Sequence, residues 1–423
     1  MANFLSLNGF LQRNILLSLL WMFVTIGIYS FAPIINITLI KYFNINEQEL
    51  SLISTSLIIG FIGANYLNSY FMNNHVNIVK ILLYSLIVFL ISISVEFYLF
   101  TNTKIDLNIL ILFRLLDGLS SYLFMTTIGH IISTKILKNK IRIKITSLMS
   151  TSNYIIKTVI PFFISGLIVF TQKPSILFLL AILCTIITIY LLIVYRRYIY
   201  FKYTRILLTI TGTKKRNTKE EIKKYIDTTN LKEYIKRIYY LFMVINHNLL
   251  RSSYDLILPV MLIINYKLTL IESTFLISIM VVGQAMQFLT SFILKKINLI
   301  YFNYIHLVLH LSVLVILFKF EINNMMILSI IFLLLGISRS MYAIWDYEYG
   351  MRLINKEITI QNHNFISKTI GELGHLISYV AVTALVLTKG DYTNIGLYYI
   401  ILPVFMIMYS LCMDKEVIFK KKS

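Results

Sequence analysis

The chain runs to 423 residues, 58% of them hydrophobic and only 14% charged, with a formal net charge of +20. A soluble protein of this size would carry about a quarter of its residues as charged side chains, and bilayer-length apolar runs that recur along the whole chain exclude a soluble multidomain enzyme. The basic excess does not mark a nucleic-acid binder, because most of it lies between apolar runs, where the positive-inside rule puts it.

In chain order, at about 20 apolar residues per crossing, six spans are predicted over 15–42, 50–72, 78–100, 107–133, 145–170 and 175–195. A basic stretch follows, and six more are predicted over 238–265, 271–294, 301–318, 323–351, 362–388 and 394–413. The chain thus reads as a first half at 1–195, a linker at 196–237 and a second half at 238–423. No cleavable leader is expected, since the first run is too long for a signal-peptide core and no A-x-A-like site follows it. Cys184 and Cys412 fall inside apolar runs and are expected as small core residues, not a disulfide.

Lys and Arg gather in alternate loops. Five stand in 135–144 and thirteen in 196–237, whereas the intervening loops hold single residues: Lys41, Lys104, Lys173, Lys267, Lys319 and Lys389. That bias predicts a multi-pass protein of the plasma (inner) membrane with both termini cytoplasmic. Within the linker, KEEIKKYIDTTNLKEYIKRIYY has amphipathic helical spacing. Clustered basic residues attract anionic headgroups, so it reads first as a solvated segment on the membrane surface and second as a lipid-sensing element.

Charges inside the spans are the informative residues, because an ionised group at mid-bilayer costs about 2.5–3.5 kcal/mol on insertion scales. The fourth span carries Arg114 and Asp117, three apart and so on one helix face. His247, Arg251 and Asp255 of the seventh span are spaced four and four, which puts them in one stripe. The tenth span has Arg339, Trp345, Asp346 and Glu348, the fifth has Lys157, and the eleventh has Lys368, Glu372 and His375 beside Gly371 and Gly374. Read blandly, Arg114–Asp117, Arg251–Asp255 and Lys368–Glu372 are pairs that neutralise one another and pin helices together.

Six spans, a basic loop and six more resemble the major facilitator superfamily. The stretch Arg114-Leu-Leu-Asp117-Gly118-Leu-Ser is similar to that superfamily's fourth-helix motif, and IYSFAPIINITLIKYFNINEQELSLISTSLIIGFIGANYL resembles its Pro-kinked first helix, short external turn and Gly-bearing second helix. Pro161 and Gly166 resemble the fifth-helix motif of the drug:proton antiporter branch, and STFLISIMVVG (273–283) echoes STSLIIGFIG (54–63), as a repeated unit would. One departure stands out: the loop after the second span, Tyr70 to Lys80, lacks the Asp, Gly and paired Arg of the superfamily's cytoplasmic latch.

The resemblance implies an all-α integral membrane protein of twelve transmembrane helices in two six-helix bundles, rocking around a midplane cavity lined by helices 1, 4, 7 and 10. It implies a secondary transporter that works as a monomer in the bilayer, with a small solute and protons as partners and no cofactor, metal or nucleic acid. The expected proton carriers are Asp117 first, then Asp255 and Glu372, because a carboxylate whose distance from a cation changes with conformation changes its proton affinity too. Arg114, Lys157, Arg251, Arg339 and His247 are the expected polar contacts to solute, with Trp21, Tyr29 and Trp345 as its aromatic contacts. The excess of cations within the spans favours an anionic or zwitterionic organic solute, and the fifth-helix resemblance tips the direction towards export. The alternatives in the same fold are a polyspecific drug exporter and a nutrient importer.

Other classes fare worse. No H-E-x-x-H, D-x-x-D or G-x-S-x-G is present and the seven histidines are scattered, against a membrane-embedded enzyme. A non-transporting sensor would need a larger output segment than 196–237, and no repeated pore loop suggests a channel.

Overall fold

In the computed structural model, the described residues are 9–73, 77–133, 139–199, 231–286, 299–320, 322–353, 360–389 and 400–414, and their regular structure is helical throughout. In order the helices are α1 (Gly9–Phe31), α2 (Ile35–Phe43), α3 (Glu47–Asn73), α4 (Ile78–Leu99), α5 (Leu107–Ser133), α6 (Asn139–Thr171) and α7 (Ile176–Val194). A short α8 (Arg196–Ile199) follows, then α9 (Leu231–Ile264), α10 (Leu270–Ala285), α11 (Leu299–Lys319), α12 (Met325–Leu353), α13 (Ile360–Lys389) and α14 (Ile401–Asp414). Each predicted span overlaps one of these, the first being split between α1 and α2, while 287–294 of the eighth and 394–399 of the twelfth lie outside the described residues. Among the described residues eight stretches are long and apolar enough to cross a membrane, and α10 and Ile401–Leu411 are shorter apolar helices. Hydrocarbon offers no partner to a bare N–H or C=O, so a spanning segment must bond its backbone to itself.

The split in the first span has a clear cause. Pro33 has no N–H to continue the ladder and its ring crowds the preceding turn, so the helix stops at Phe31 and restarts at Ile35. Pro161 and Pro259 instead remain inside α6 and α9.

The chain divides into two compact units, Met1–Thr38 with Ser56–Lys215 and Leu39–Thr55 with Arg216–Ser423. In the first, α1 packs on α6 and α7, and α4 packs on α5 and α7. Leu17, Leu20, Leu82, Phe124, Ile128 and Leu192 form its apolar interior. In the second, α12 packs on α10 and α11, and α9 packs on α13. The other faces carry exposed apolar residues, among them Ile59, Ile91, Leu112, Phe163, Leu183, Val308 and Ile330. Such surface is stable against lipid and not against water.

The internal repeat is plainer in the backbone than in the letters. Two turns share one design: Asn44 and Lys267 adopt left-handed φ values of 52° and 51°, just after Leu39 and Leu262 have accepted the N–H of Ile45 and Leu268. Two residues further on, Asn46 and Thr269 cap the next helix. Glu49 N–H donates to Asn46 Oδ1 at 2.9 Å and Asn46 N–H to Glu49 Oε2 at 3.0 Å, and Thr269 with Glu272 makes the same reciprocal pair at 3.2 and 2.8 Å.

A second correspondence links α5 with α12. Asp106 Oδ1 accepts from the N–H of Asn108 and Ile109, as Asn324 Oδ1 does from Met326 and Ile327. Further along, Gly60 of α3 lies against Leu115, Gly118 and Leu119, while Gly283 of α10 lies against Leu333, Gly336 and Ile337. These contacts make Gly60 equivalent to Gly283 and Gly118 to Gly336. They also correct the register of the sequence echo, because aligning the two Ser-Thr starts puts the glycines one helical turn out of step.

Replacing a capping residue of this kind by Ala costs about 1 kcal/mol. Thr269→Ala and Glu272→Gln are therefore each expected to lower the thermal midpoint of the detergent-purified protein, and the double variant to lower it by less than the sum, since both act on one reciprocal pair.

Candidate functional site

Among the described residues, the most buried ionic group lies in the first unit, at the end of α4 and the middle of α5. Arg114 and Asp117 meet as their spacing predicts, with Arg114 Nη1 donating to Asp117 Oδ2 at 2.5 Å. A third member was not anticipated from sequence: Glu96 of α4, whose Oε2 is 3.6 Å from the same Nη1. Glu96 is 0% exposed, Asp117 2% and Arg114 3%, so one guanidinium faces two carboxylates out of contact with solvent. Several of their atoms remain unsatisfied, namely both Glu96 oxygens, Arg114 Nε and Asp117 Oδ1.

Apolar rings seal the group. Phe31, next to the Pro33 break, has its ring centroid 5.5 Å from the Arg114 guanidinium carbon. It packs on Phe178 at 5.3 Å, and Phe178 packs edge-on to Phe100 at 5.0 Å. Ser30 ties the first helix to α7 by donating to Leu177 O at 3.1 Å. On α5, Ser121 donates back to Asp117 O at 2.7 Å.

Lys157 and Tyr29, separate expectations in the sequence, are brought together. Lys157 Nζ stands 4.6 Å from the centre of the Tyr29 ring, an attraction worth about 0.5–1 kcal/mol at an exposed site and more when desolvated. Both residues are half-buried, and among the described residues no carboxylate forms an ion pair with Lys157. Trp21 is placed differently: it packs against the apolar interior of the first unit, with its indole N–H unsatisfied.

In the second unit, His247 of α9 stacks on Tyr342 of α12. Its ring centroid is also 5.0 Å from that of His306 and 6.0 Å from that of His310, both on α11. Three of the histidines scattered in sequence are therefore neighbours in space. The i,i+4 spacing of His306 and His310 was the available signal. His310 Nδ1 lies 2.9 Å from Ser338 Oγ, while neither ring nitrogen of His306 has a hydrogen-bond partner. Among the described residues no three His, Cys, Asp or Glu side chains are placed to hold a metal ion.

Arg339 is buried on the same face of α12 as Tyr342, and Trp345 is wrapped in a stack with Tyr240, Tyr342 and Tyr349. Tyr240 closes that stack by donating its hydroxyl to Asp346 Oδ1 at 2.7 Å. Glu372, half-buried, sits on α13 near the place where Gly374 meets Ile245 of α9. The side chains of Arg251, Asp255, Lys368 and Cys412 lie outside the described residues, as does 219–230 of the amphipathic linker segment. Its remainder, 231–240, forms the first turns of α9, where Arg237 is buried and paired with Glu233 and Tyr240 is buried against Trp345, so this part is packed into the second unit and is not a solvated surface segment.

A helical membrane frame built twice over, with a cation and carboxylates buried in one copy, is the frame of a solute carrier. The sequence profile of the Major Facilitator Superfamily matches residues 17–378, and the chain belongs to that superfamily: it is a transporter and not an enzyme. No curated protein sequence matches it.

Among solved structures, it is similar to the nucleoside transporter NupG at 12% identity and a TM-score of 0.66, with 96% of this chain and 100% of that chain covered. It is similar to a D-xylose–proton symporter at 15% and 0.69, covering 96% and 98%. A peptide transporter POT in complex with sulfate gives 10% and 0.71, covering 95% and 94%. At such identities the likeness is one of fold.

Proposed function

We propose that the protein is a secondary active transporter that moves a small anionic or zwitterionic organic solute by alternating access, coupled to protons and operating in the export direction. The observation that carries this reading is the buried Arg114–Asp117 pair with Glu96 beside it. Ions sealed from water are costly unless matched, and a cluster with more acids than bases responds to a proton. Lys157 supports the choice of solute: a cation resting on the Tyr29 ring, with no carboxylate paired to it among the described residues, can receive a carboxylate or phosphate. Arg339 and His247 supply donors in the second unit, with Trp345 behind them, and Arg251 belongs to the same stripe by sequence.

Asp117 is the acid placed first in the coupling, with Asp255 and Glu372 after it. The direction rests on the fifth helix, where Pro161 remains within α6 and Gly166 has no neighbour within 4 Å. The Lys and Arg bias supports cytoplasmic termini in the plasma membrane, and the chain acts as a monomer.

The test is flux in proteoliposomes under an imposed pH gradient, read with a panel of organic acids and amino acids. The wild type is expected to accumulate its solute against a concentration gradient only while the pH gradient lasts, and Asp117→Asn to lose that accumulation. Wild-type flux that ignores the gradient removes the coupling, and a preference for lipophilic cations removes the assignment of solute charge.

A further inference from the structure

Two carboxylates share one guanidinium, and they do not share it equally. Asp117 Oδ2 takes the short bond from Arg114 Nη1 at 2.5 Å, whereas Glu96 Oε2 stands 3.6 Å from the same nitrogen. Neither Glu96 oxygen accepts a hydrogen bond, and no part of the side chain is exposed. The charged groups that interact with Glu96 are Arg114 and Asp117, both on α5; among the described residues none comes from α7, the other helix packed on α4. If both acids were ionised, the sealed cluster would carry a net negative charge that no further cation among the described residues balances. A buried group in that position gives up its charge instead. The acid with the longer contact and no hydrogen bonds is the one that can do so without breaking the pair.

We propose that Glu96 is the proton-binding site of the first unit, held as a neutral carboxylic acid, while Asp117 is the standing counter-ion of Arg114. This relocates the proton within the coupling cluster, and its role in transport rests on the proton-coupled reading. Release of the proton leaves a second anion beside Arg114, which draws the guanidinium away from Asp117 and loosens the α5 side of the cluster. Glu96 is also well placed to exchange its proton. It lies one turn from the end of α4, where Phe100 N–H donates to Glu96 O at 3.0 Å. The ring of Phe100 belongs to the Phe31–Phe178–Phe100 wall, so parting those rings admits water to the acid and closing them excludes it.

The test joins infrared spectroscopy with transport. Reconstituted wild-type protein at neutral pH is expected to show a protonated-carboxyl band that shifts when glutamate, and not aspartate, is isotope-labelled at its side-chain carboxyl. That band is expected to vanish in Glu96→Gln. A band that shifts with labelled aspartate, or one that survives in Glu96→Gln, overturns the assignment. In proteoliposomes, the net flux of Glu96→Gln is expected no longer to respond to a pH gradient, whereas Glu96→Asp, which keeps a carboxyl group, is expected to retain a response. A wild type that responds and a Glu96→Gln variant that responds equally overturn the role of Glu96 alone. A wild type that does not respond overturns proton coupling, and the infrared result then still decides where the proton sits.

Discussion

Arg114→Gln is expected to be among the most damaging single changes in the chain. It removes the one cation that, among the described residues, compensates Asp117, in a site where Arg114, Asp117 and Glu96 are almost wholly sealed. Breaking a buried pair by deleting one partner costs about 3–5 kcal/mol, because the survivor is left as an unbalanced charge. A marginally stable protein has roughly 5–15 kcal/mol in hand, so the variant should show a sharply reduced yield and a lower unfolding midpoint in detergent. The control is Arg114→Gln with Asp117→Asn, which deletes both charges. It should recover most of the lost stability without recovering gradient-driven transport. Equal instability in the single and double variants would show that the site is held by packing alone.

The second large effect is expected where helices touch backbone to backbone. A Cβ on Gly118 would run into Leu57 O and approach Leu57 Cα to 3.2 Å; one on Gly336 would run into Met280 O and come within 2.9 Å of Gly283 Cα. Neither neighbour is a side chain that can swing aside. The helices must part, and since association in lipid relies on close packing between small residues, the cost exceeds that of ordinary overpacking, about 1–3 kcal/mol. Gly118→Leu and Gly336→Leu are each expected to abolish recovery of monodisperse protein, with Gly118→Ala and Gly336→Ala intermediate. Gly166→Ala is the contrasting case: with nothing within 4 Å, it should be neutral or slightly stabilising, because Ala outranks Gly in helices by about 1 kcal/mol. Size-exclusion profiles of the five variants decide the matter.

Much of the helical frame was legible in the sequence, because a bilayer imposes a long apolar run at each crossing. The Arg114–Asp117 pair was legible as well, since three-residue spacing on a helix is a local property. Glu96 was not. A lone acid near the end of a span looks like an interfacial residue, and only the packing of α4 on α5 carries it to Arg114. The three histidines were missed for a related reason. His306 and His310 form a local pattern on α11, but His247 joins them from another helix, and no spacing rule reaches that far. Lys157 and Tyr29 were each singled out for their own chemistry, and their pairing became visible only once α1 lay against α6. The register of the repeat also escaped, because Asn44 and Lys267, or Asn46 and Thr269, do the same backbone work with different letters.

The matched glycines also show what the two copies do not share. Counting back from Gly118 gives Asp117 and Arg114; counting back equally from Gly336 gives Leu335 and Phe332, both apolar and the phenylalanine fully buried. At that depth one copy is electrically live and its twin is inert. The duplicated backbone therefore sets where the two helices touch but not what they carry: the same packing seat holds a salt bridge in one copy and hydrocarbon in the other.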